Sequence, residues 1–333
     1  MARIKDFGLE DGGSLGFVSL SSISVTTNGA ITGQYALRGS TGGSMSAIIS
    51  HSALSEIYIG LNHRGVTYNH ASGLFGWRKA GTVLASVRMT TARQISVWVG
   101  GSQVATGSKV LADNQVYNIQ ARYKIHDSTG SLQVKMDGVL DINYDNQDTK
   151  PGSETDFDEF MIGNAGTATG GSNADYDDII LNDTTGGINN SWPGIRYIYP
   201  ALPTGDSGSN NAWSKSTGSA GWSLVDERPH NTTDYVFSST NGQQQGFTHA
   251  ASGVPAASVV RAVRFDYVSY KISSGQIKVG CRSSSTESLS AALDLGISPE
   301  MQRAYFENDP ATSAAWASIA AADSAESLVE SVI

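Results

Sequence analysis

The sequence predicts an all-β protein with two β-sandwich domains, and three observations support this. Apolar residues recur at every second position in many short segments. The 333 residues include 37 glycines and only 16% charged residues, which suits short strands and tight turns better than long helices. Strand-like segments recur at the roughly 8–12-residue spacing typical of sandwiches and barrels. We therefore expect packed antiparallel sheets.

The clearest strand is predicted in "VYNIQARYKI", where apolar and polar residues alternate. One face carries Tyr117, Ile119, Ala121, Tyr123 and Ile125, and the other carries Asn118, Gln120, Arg122 and Lys124. Such alternation is typical of a strand with one face in the core and one in solvent. Asp137 and Gly138 are predicted to form the two-residue turn of the next hairpin. About eleven strands are predicted before Pro203 on the same reasoning.

The composition changes after "YPALPTGDSGSNN", a stretch rich in Pro, Gly, Ser and Asn that is typical of a domain junction. We predict a jelly-roll sandwich over residues 1–205, a linker over 206–221, and a smaller sandwich with one short helix over 222–333. The helix is predicted within "DPATSAAWASIAAADSAES". In the predicted strand "QIKVGCR", Cys281 shares a face with Ile277 and Val279 and is predicted to be a buried small apolar residue.

Charge and cysteine content narrow the function. The net charge of −9 is spread over both halves, which argues against nucleic-acid binding. A single cysteine allows no internal disulfide. No run approaches the ~20 apolar residues needed to span a bilayer, and the first residues lack the apolar stretch of a signal peptide. We therefore expect no membrane partner and folding in a cytoplasm.

Several segments in a fixed order carry a family resemblance. They are "YALRG", "YNIQARYKIHDSTGSLQVKMDGVLDINYDNQDT", "EFMIGNAG", "YDDIILND", "WPGIRYIYPALPTGDS", "WSLVDERPHNTTDYVFSS" and "NDPATSAAW". Together they resemble virion proteins of tailed bacteriophages that carry a laminin G-like, concanavalin A-like jelly-roll domain. The resemblance implies a non-catalytic structural or accessory protein of the capsid or tail, folded in the host cytoplasm. It also implies a homo-oligomer, expected as a trimer, that packs against other virion proteins.

A glycan-binding phage adhesin that contacts the host surface is the alternative function. Sugar rings stack on exposed aromatic side chains, and the candidates here are Trp77, Trp98 and Tyr68. Trp98 is predicted to point away from the apolar face of "QISVWVG". Core or interface packing of these three side chains is the other interpretation, and the one the sequence favours.

Acidic residues in "NADYDDIILND" are candidate metal ligands. Asp175, Asp177 and Asp178 could contribute oxygen ligands to a structural Ca²⁺, although the spacing of an EF-hand is absent. The favoured alternative is that they cap a strand and accept hydrogen bonds from backbone amides. No other cofactor is expected. His51, His63 and His70 lack the spacing of a zinc site and are expected to be solvated.

The segment "ETDFDE" matches the E-x-D-x-x-E pattern of laminarinase-type glucanases, in which Glu154 and Glu159 would be catalytic. This is the second alternative function. Glu154 and Asp156 follow Pro151 and Gly152, so we predict that both lie in a loop before the strand and that no residue of this segment is catalytic.

Overall fold

The structure is a computed structural model that describes residues 3–7, 9, 17–39, 45–68, 71–164, 173–187, 189–218, 220–228 and 230–333. The chain divides into two compact units, Met1–Ile198 and Tyr199–Ile333. Both are built from antiparallel sheets, which confirms the all-β prediction. In the part of the chain that is described, no helix is long and apolar enough to cross a membrane.

The first unit is a jelly-roll sandwich of two sheets, whose strands are numbered in chain order. Sheet 1 contains, in spatial order, β13 (Val139–Gln147), β12 (Gly130–Met136), β11 (Val116–Lys124), β6 (Glu56–Gly65), β15 (Ala174–Asn182), β4 (Ala36–Gly39) and β3 (Ile23–Thr26), with β1 (Arg3–Phe7) also paired to β15. Sheet 2 contains β10 (Ser102–Val110), β9 (Gln94–Val99), β8 (Thr82–Met89), β7 (Ser72–Lys79), β14 (Phe157–Gly163), β5 (Ser46–Leu54) and β2 (Ser19–Ser21). The predicted hairpin turn between β12 and β13 is present, with positive φ at Asp137 and Gly138.

The core of the first unit lies between the two sheets and is rich in aromatic rings. Trp77 of sheet 2 packs on Tyr123 of sheet 1 with ring centroids 4.9 Å apart, and Tyr123 packs on Phe157 at 5.2 Å. All three side chains are fully buried. Because interiors are close-packed, truncating a ring at such a site costs about 3–5 kcal/mol. This core fixes which face of each sheet points outward.

The second unit has one larger sheet covered by a pair of strands. Sheet 3 contains β16 (Pro203–Asn211), β19 (Gln244–His249), β27 (Glu326–Val332), β21 (Gln276–Ser283) and β22 (Thr286–Leu289), with β23 (Leu293–Asp294) also paired to β21. The covering pair is β20 (Val263–Ser269) with β24 (Glu300–Phe306), and two-residue strands pair as β17 (Ser214–Lys215) with β18 (Val236–Phe237) and β25 (Asn308–Asp309) with β26 (Ala314–Ala315). Cys281 lies fully buried in the core of this unit, as predicted, and burial raises the pKa of its thiol.

Two segments of the second unit differ from the sequence prediction. Much of the predicted linker over 206–221 is ordered: β16 and β17 run through it, and Asp206 accepts hydrogen bonds from the backbone amides of Gly221 and Trp222. Its Gly, Ser and Asn content reflects an edge strand with exposed positions. The predicted helix is reduced to α1 (Ile319–Asp323), because Trp316 turns inward and donates its indole N–H to the carbonyl of Phe306.

Candidate functional site

The outer face of sheet 1 carries polar side chains in rows that run across the strands. On β6, Ile57 and Ile59 point into the core, so Tyr58 between them points outward. Strand pairing places Tyr58 opposite Arg122 of β11. Arg122 lies opposite Gln133 of β12, and Gln133 opposite Asn143 of β13. These four residues form one row across four strands, called the polar row below.

Hydrogen bonds connect the side chains of the polar row. Glu56 Oε1 accepts from the Tyr58 hydroxyl at 3.1 Å and from Arg122 Nε at 2.8 Å. Arg122 Nη1 donates to Gln133 Oε1 at 3.3 Å, and Gln133 Nε2 donates to Asn143 Oδ1 at 2.5 Å. Burial, and then Glu56, raise the pKa of Tyr58, so its hydroxyl stays protonated. The row is therefore held in one arrangement before any ligand arrives.

Residues 189–198, called the covering segment, lie over the neighbouring part of this face. Three hydrogen bonds hold the segment: Asn182 Nδ2 to the Ser191 carbonyl at 3.0 Å, the Gly194 amide to Gln120 Oε1 at 2.9 Å, and the Ile198 amide to Asp178 Oδ1 at 2.7 Å. Gly60 of β6 makes room for it, because a Cβ at this position would lie 3.2 Å from the ring of Pro193. A side chain at position 60 would therefore force Pro193 to move.

The covering segment brings an indole to the polar row. Trp192 packs edge-on against Tyr58, with ring centroids 5.5 Å apart and an interplanar angle of 68°. Lys135 of β12 places its ammonium 4.3 Å from the centre of the indole ring. Both aromatic side chains are partly exposed. Apolar ring surface and hydrogen-bonding groups thus lie side by side on one face of the sheet.

Two polar residues of β11 beneath the covering segment are buried, which corrects the prediction that they meet solvent, whereas Arg122 and Lys124 on the same face are partly exposed. Asn118 is 7% exposed and Gln120 is 1% exposed. Their amides continue into a chain in which Gln120 donates to Asn118, Asn118 to Asn62, and Asn62 to Asp178. The alternation of β11 was predicted correctly. Alternation cannot show, however, that a segment more than sixty residues later in the chain covers the polar face of this strand.

The three candidate metal ligands, Asp175, Asp177 and Asp178, already have protein partners. Asp175 pairs with Arg38 and Arg64 at 2.6 and 2.8 Å. A β-bulge in β15, with positive φ at Asp178, turns the adjacent Asp177 and Asp178 to the same face. Asp177 accepts hydrogen bonds from three backbone amides: those of Ile31, Thr32 and Asp178. Among the described residues, no group of three or more His, Cys, Asp or Glu side chains is placed to hold a metal ion.

The Asp177–Asp178 pair is electrostatically strained. Both carboxyl groups are buried, and Asp178 bonds to Thr32, Asn62 and the backbone of Ile198. Burial, and then the charge of Asp178, raise the pKa of Asp177 to about 8. The pair therefore holds one proton at neutral pH.

Two of the three aromatic candidates are core residues. Trp77 is 0% exposed and Tyr68 is 2% exposed, so neither ring can stack on a sugar. The structure corrects both as glycan-binding candidates and agrees with the favoured interpretation that they are packing residues. Trp98 points outward from sheet 2, as expected, and is partly exposed. Its indole lies 4.1 Å from the guanidinium of Arg88 and donates its N–H to Ser96 Oγ at 3.0 Å. Its role in glycan binding stays a prediction.

The residues of "ETDFDE" are placed as the sequence predicts. Glu154 and Asp156 precede β14, which begins at Phe157. Asp156 pairs with Lys79, and Glu159 on β14 lies 3.4 Å from Arg78. This segment therefore forms ion pairs with β7.

One of the three histidines, His63, is not placed as expected. His63 is fully buried between Tyr68 and Tyr176, where burial lowers its pKa to about 4, so the expectation of a solvated ring is wrong for this residue. His51 packs edge-on against Phe157 at 5.8 Å. His70 lies outside the described residues.

The aromatic pair of Tyr58 and Trp192, with Lys135, was not singled out from the sequence. Tyr58 carried a usable signal, because it lies between Ile57 and Ile59 and must face away from them. Trp192 carried no such signal, since "SWPG" has no strand periodicity. Its partners depend on where the covering segment crosses the sheet.

No protein-family model matches the chain, and no curated protein does. Solved structures with some similarity include an endo-β-1,4-glucuronan lyase from the fungus Trichoderma reesei, at 13% identity and a TM-score of 0.40, covering 50% of this chain and 91% of the lyase. Alginate lyase Aly36B has 15% identity and a TM-score of 0.35, covering 46% and 82%. A sialidase from Trypanosoma rangeli has 16% identity and a TM-score of 0.37, and the match covers 50% of this chain but only 29% of the sialidase.

These findings contradict the prediction of a non-catalytic structural protein, because the structures named are glycan-acting enzymes. The predicted absence of enzymatic activity likewise finds no support in these structures. At such low TM-scores the likeness assigns no reaction to this chain. The resemblance to phage virion proteins stays a prediction that none of these findings tests.

Proposed function

We propose that the first unit binds a polysaccharide on the outer face of sheet 1, with the sugar chain running along the polar row. The observation that carries the proposal is this row of Tyr58, Arg122, Gln133 and Asn143, with the indole of Trp192 packed against Tyr58. Sugar rings stack their apolar faces on aromatic side chains, and their hydroxyl groups bond to planar polar groups. Here Tyr58 and Trp192 provide the aromatic surface, and the neighbouring side chains of the polar row provide the planar polar groups.

The spacing of the polar row supports an extended ligand. Neighbouring strands lie about 4.8 Å apart, which is close to the length of one sugar residue along a polysaccharide. A row across four strands is therefore about 14 Å long and offers a hydrogen-bonding group at each step. Such a row fits about three consecutive sugar residues.

The charges along the row favour hydrogen bonding to hydroxyl groups over recognition of a charged group. Arg122 is balanced by Glu56 at 2.8 Å and by Asp145 at 3.7 Å. The guanidinium keeps further N–H donors, because an arginine has five. Neutral sugar residues are therefore the expected ligands of the row.

The test is binding of the full chain to an array of cello-, xylo-, manno- and uronate oligosaccharides, followed by calorimetry with the tightest ligand. Trp192→Ala is expected to weaken binding by about tenfold or more, because stacking and the position of Tyr58 are both lost. Trp98→Ala is the matched control, since Trp98 is also partly exposed and also packs on a cation. Equal losses in the two variants, or no bound oligosaccharide, would refute the proposal. Chromatography of the ligand after incubation shows whether binding leads to cleavage.

A further inference from the structure

We propose that a second site on the same face, at the β3 edge of sheet 1, binds the carboxylate of an acidic sugar. The site is a cavity of about 420 Å³. It is lined by Ser22, Ile23, Ser24, Thr26, Asn28 and Arg38. Its volume lies in the lower part of the range of about 300–1,000 Å³ that is common for small-molecule pockets. The lining contains a guanidinium and no acidic side chain.

Strand alternation explains why the cavity is polar. Ile23 of β3 is buried in the core, so Ser24, the next residue along the strand, points outward. Ser24 lies opposite Arg38 of β4. Thr26 Oγ1 accepts a hydrogen bond from the Asn28 amide at 3.1 Å, which leaves the hydroxyl proton of Thr26 available to a ligand. Hydroxyl and guanidinium donors suit the oxygen atoms of a carboxylate.

The buried carboxylate of Asp175 holds the guanidinium of Arg38 in place. Its Nε donates to Asp175 Oδ1 at 2.6 Å and its Nη2 to Asp175 Oδ2 at 3.0 Å. Its side chain is 25% exposed, whereas that of Asp175 is fully buried. Asp175 takes two of the five N–H donors that an arginine carries. Among the described residues the remaining N–H donors of Arg38 have no other hydrogen-bond acceptor, and Arg38 lines the cavity.

Asp175 compensates only part of the positive charge at this site. It also accepts from Arg64, with Nε at 3.0 Å and Nη2 at 2.8 Å. One carboxylate therefore serves two guanidinium groups. A ligand carboxylate would supply additional negative charge, and charge-assisted hydrogen bonds are stronger than neutral ones.

Backbone packing fixes this arrangement. The carbonyl of Gly29 accepts a hydrogen bond from Arg64 Nη2 at 2.9 Å. Gly29 has a φ of 117°, and a Cβ there would lie 2.9 Å from Arg38 Nε. The loop can approach the ion pairs this closely only with glycine. The side chain of Arg38 is therefore already ordered and loses little conformational entropy when a ligand binds.

The test is calorimetry and saturation-transfer NMR of the full chain with three probes: sodium D-glucuronate, D-glucose and sodium acetate. Glucuronate is expected to bind about tenfold more tightly than either of the others, because it carries both the carboxylate and the sugar ring. Arg38→Gln is expected to weaken glucuronate binding about tenfold, whereas Arg64→Gln weakens it less than about threefold. Arg64 is the matched control, because it shares Asp175 but does not line the cavity.

Equal losses for Arg38→Gln and Arg64→Gln would overturn the site, since the shared ion pair and not the cavity would then be responsible. Acetate binding as tight as glucuronate would overturn the acidic sugar as ligand. If Arg38→Gln fails to fold, Ser24→Val gives the answer, because it leaves Arg38 and its partners intact and suits a strand. That variant is expected to weaken glucuronate binding several-fold, and unchanged binding would count against the site. The cavity shares no residue with the polar row, so either proposal can fail alone.

Discussion

The two sheets of the first unit present different outer faces, although each carries a partly exposed tryptophan beside a cation. On sheet 2, Trp98 lies over Arg88, and both side chains bond to serines within two residues of themselves. On sheet 1, the ammonium of Lys135 lies over Trp192, which packs against Tyr58 beside hydrogen bonds that cross four strands. The same residue types therefore make a local packing unit on one face and an extended, preorganised surface on the other.

The difference shows that strand register matters more than the presence of an exposed aromatic ring. The polar row exists because Tyr58, Arg122, Gln133 and Asn143 are direct cross-strand neighbours on one face. On sheet 2, basic side chains of β7 are instead paired with acidic residues at or near β14, as in Arg78–Glu159. An extended ligand would find a continuous set of partners on sheet 1.

The largest effect on stability is expected from a substitution beneath the covering segment. Gly60→Val is expected to destabilise the protein by about 2–3 kcal/mol, because the new side chain collides with Pro193 and displaces the segment that carries Trp192. Urea unfolding measures the loss. Gly187→Val is the control, since a Cβ at Gly187 meets nothing within 4 Å. If the two variants were equally stable, the segment would not depend on the close approach at Gly60.

The buried Asp177–Asp178 pair is expected to make the stability of the protein depend on pH. The folded protein holds a proton on Asp177 up to a pKa of about 8, whereas the ordinary value is 3.8. Between these values the folded state binds more protons than the unfolded state, so its stability falls as pH rises from about 4 to about 8. This fall in stability should disappear in Asp177→Asn, which has no carboxyl group to hold the proton. Urea unfolding at a series of pH values measures it, and identical slopes for both proteins would exclude Asp177 as the source.

A smaller effect is expected within the polar row itself. Gln133→Ala removes the link between Arg122 and Asn143 and should weaken oligosaccharide binding about threefold to tenfold, the value of one hydrogen bond. Gln103→Ala on sheet 2 is the control, because Gln103 lies opposite Trp98 and bonds only locally, to Thr106. Calorimetry on both variants distinguishes the two faces. Similar affinities for Gln133→Ala and the unaltered protein would exclude Gln133 as a sugar contact.

Much of the fold could be predicted from the sequence, because it depends on local patterns. Alternation located β11, and the Asp137–Gly138 pair located a turn. The burial of Trp77 agrees with the favoured interpretation of core packing. Alternation alone could not separate that interpretation from glycan binding, because it tells which residues share a face and not which face becomes the core. The burial of Gln120 and the position of Trp192 depend on a segment that crosses the sheet from a distant part of the chain. The β-bulge that turns Asp177 and Asp178 to the same face is likewise not visible in the alternation of apolar and polar residues.

The most direct test of the account is the indole N–H spectrum of the six tryptophans during titration with the tightest oligosaccharide from the array. Assignments come from single Trp→Phe variants. We predict that the Trp192 signal shifts strongly, that the Trp98 signal shifts little, and that the buried Trp77 signal stays in place. A dominant shift at Trp98, with Trp192 unchanged, would contradict the assignment of ligand binding to the outer face of sheet 1.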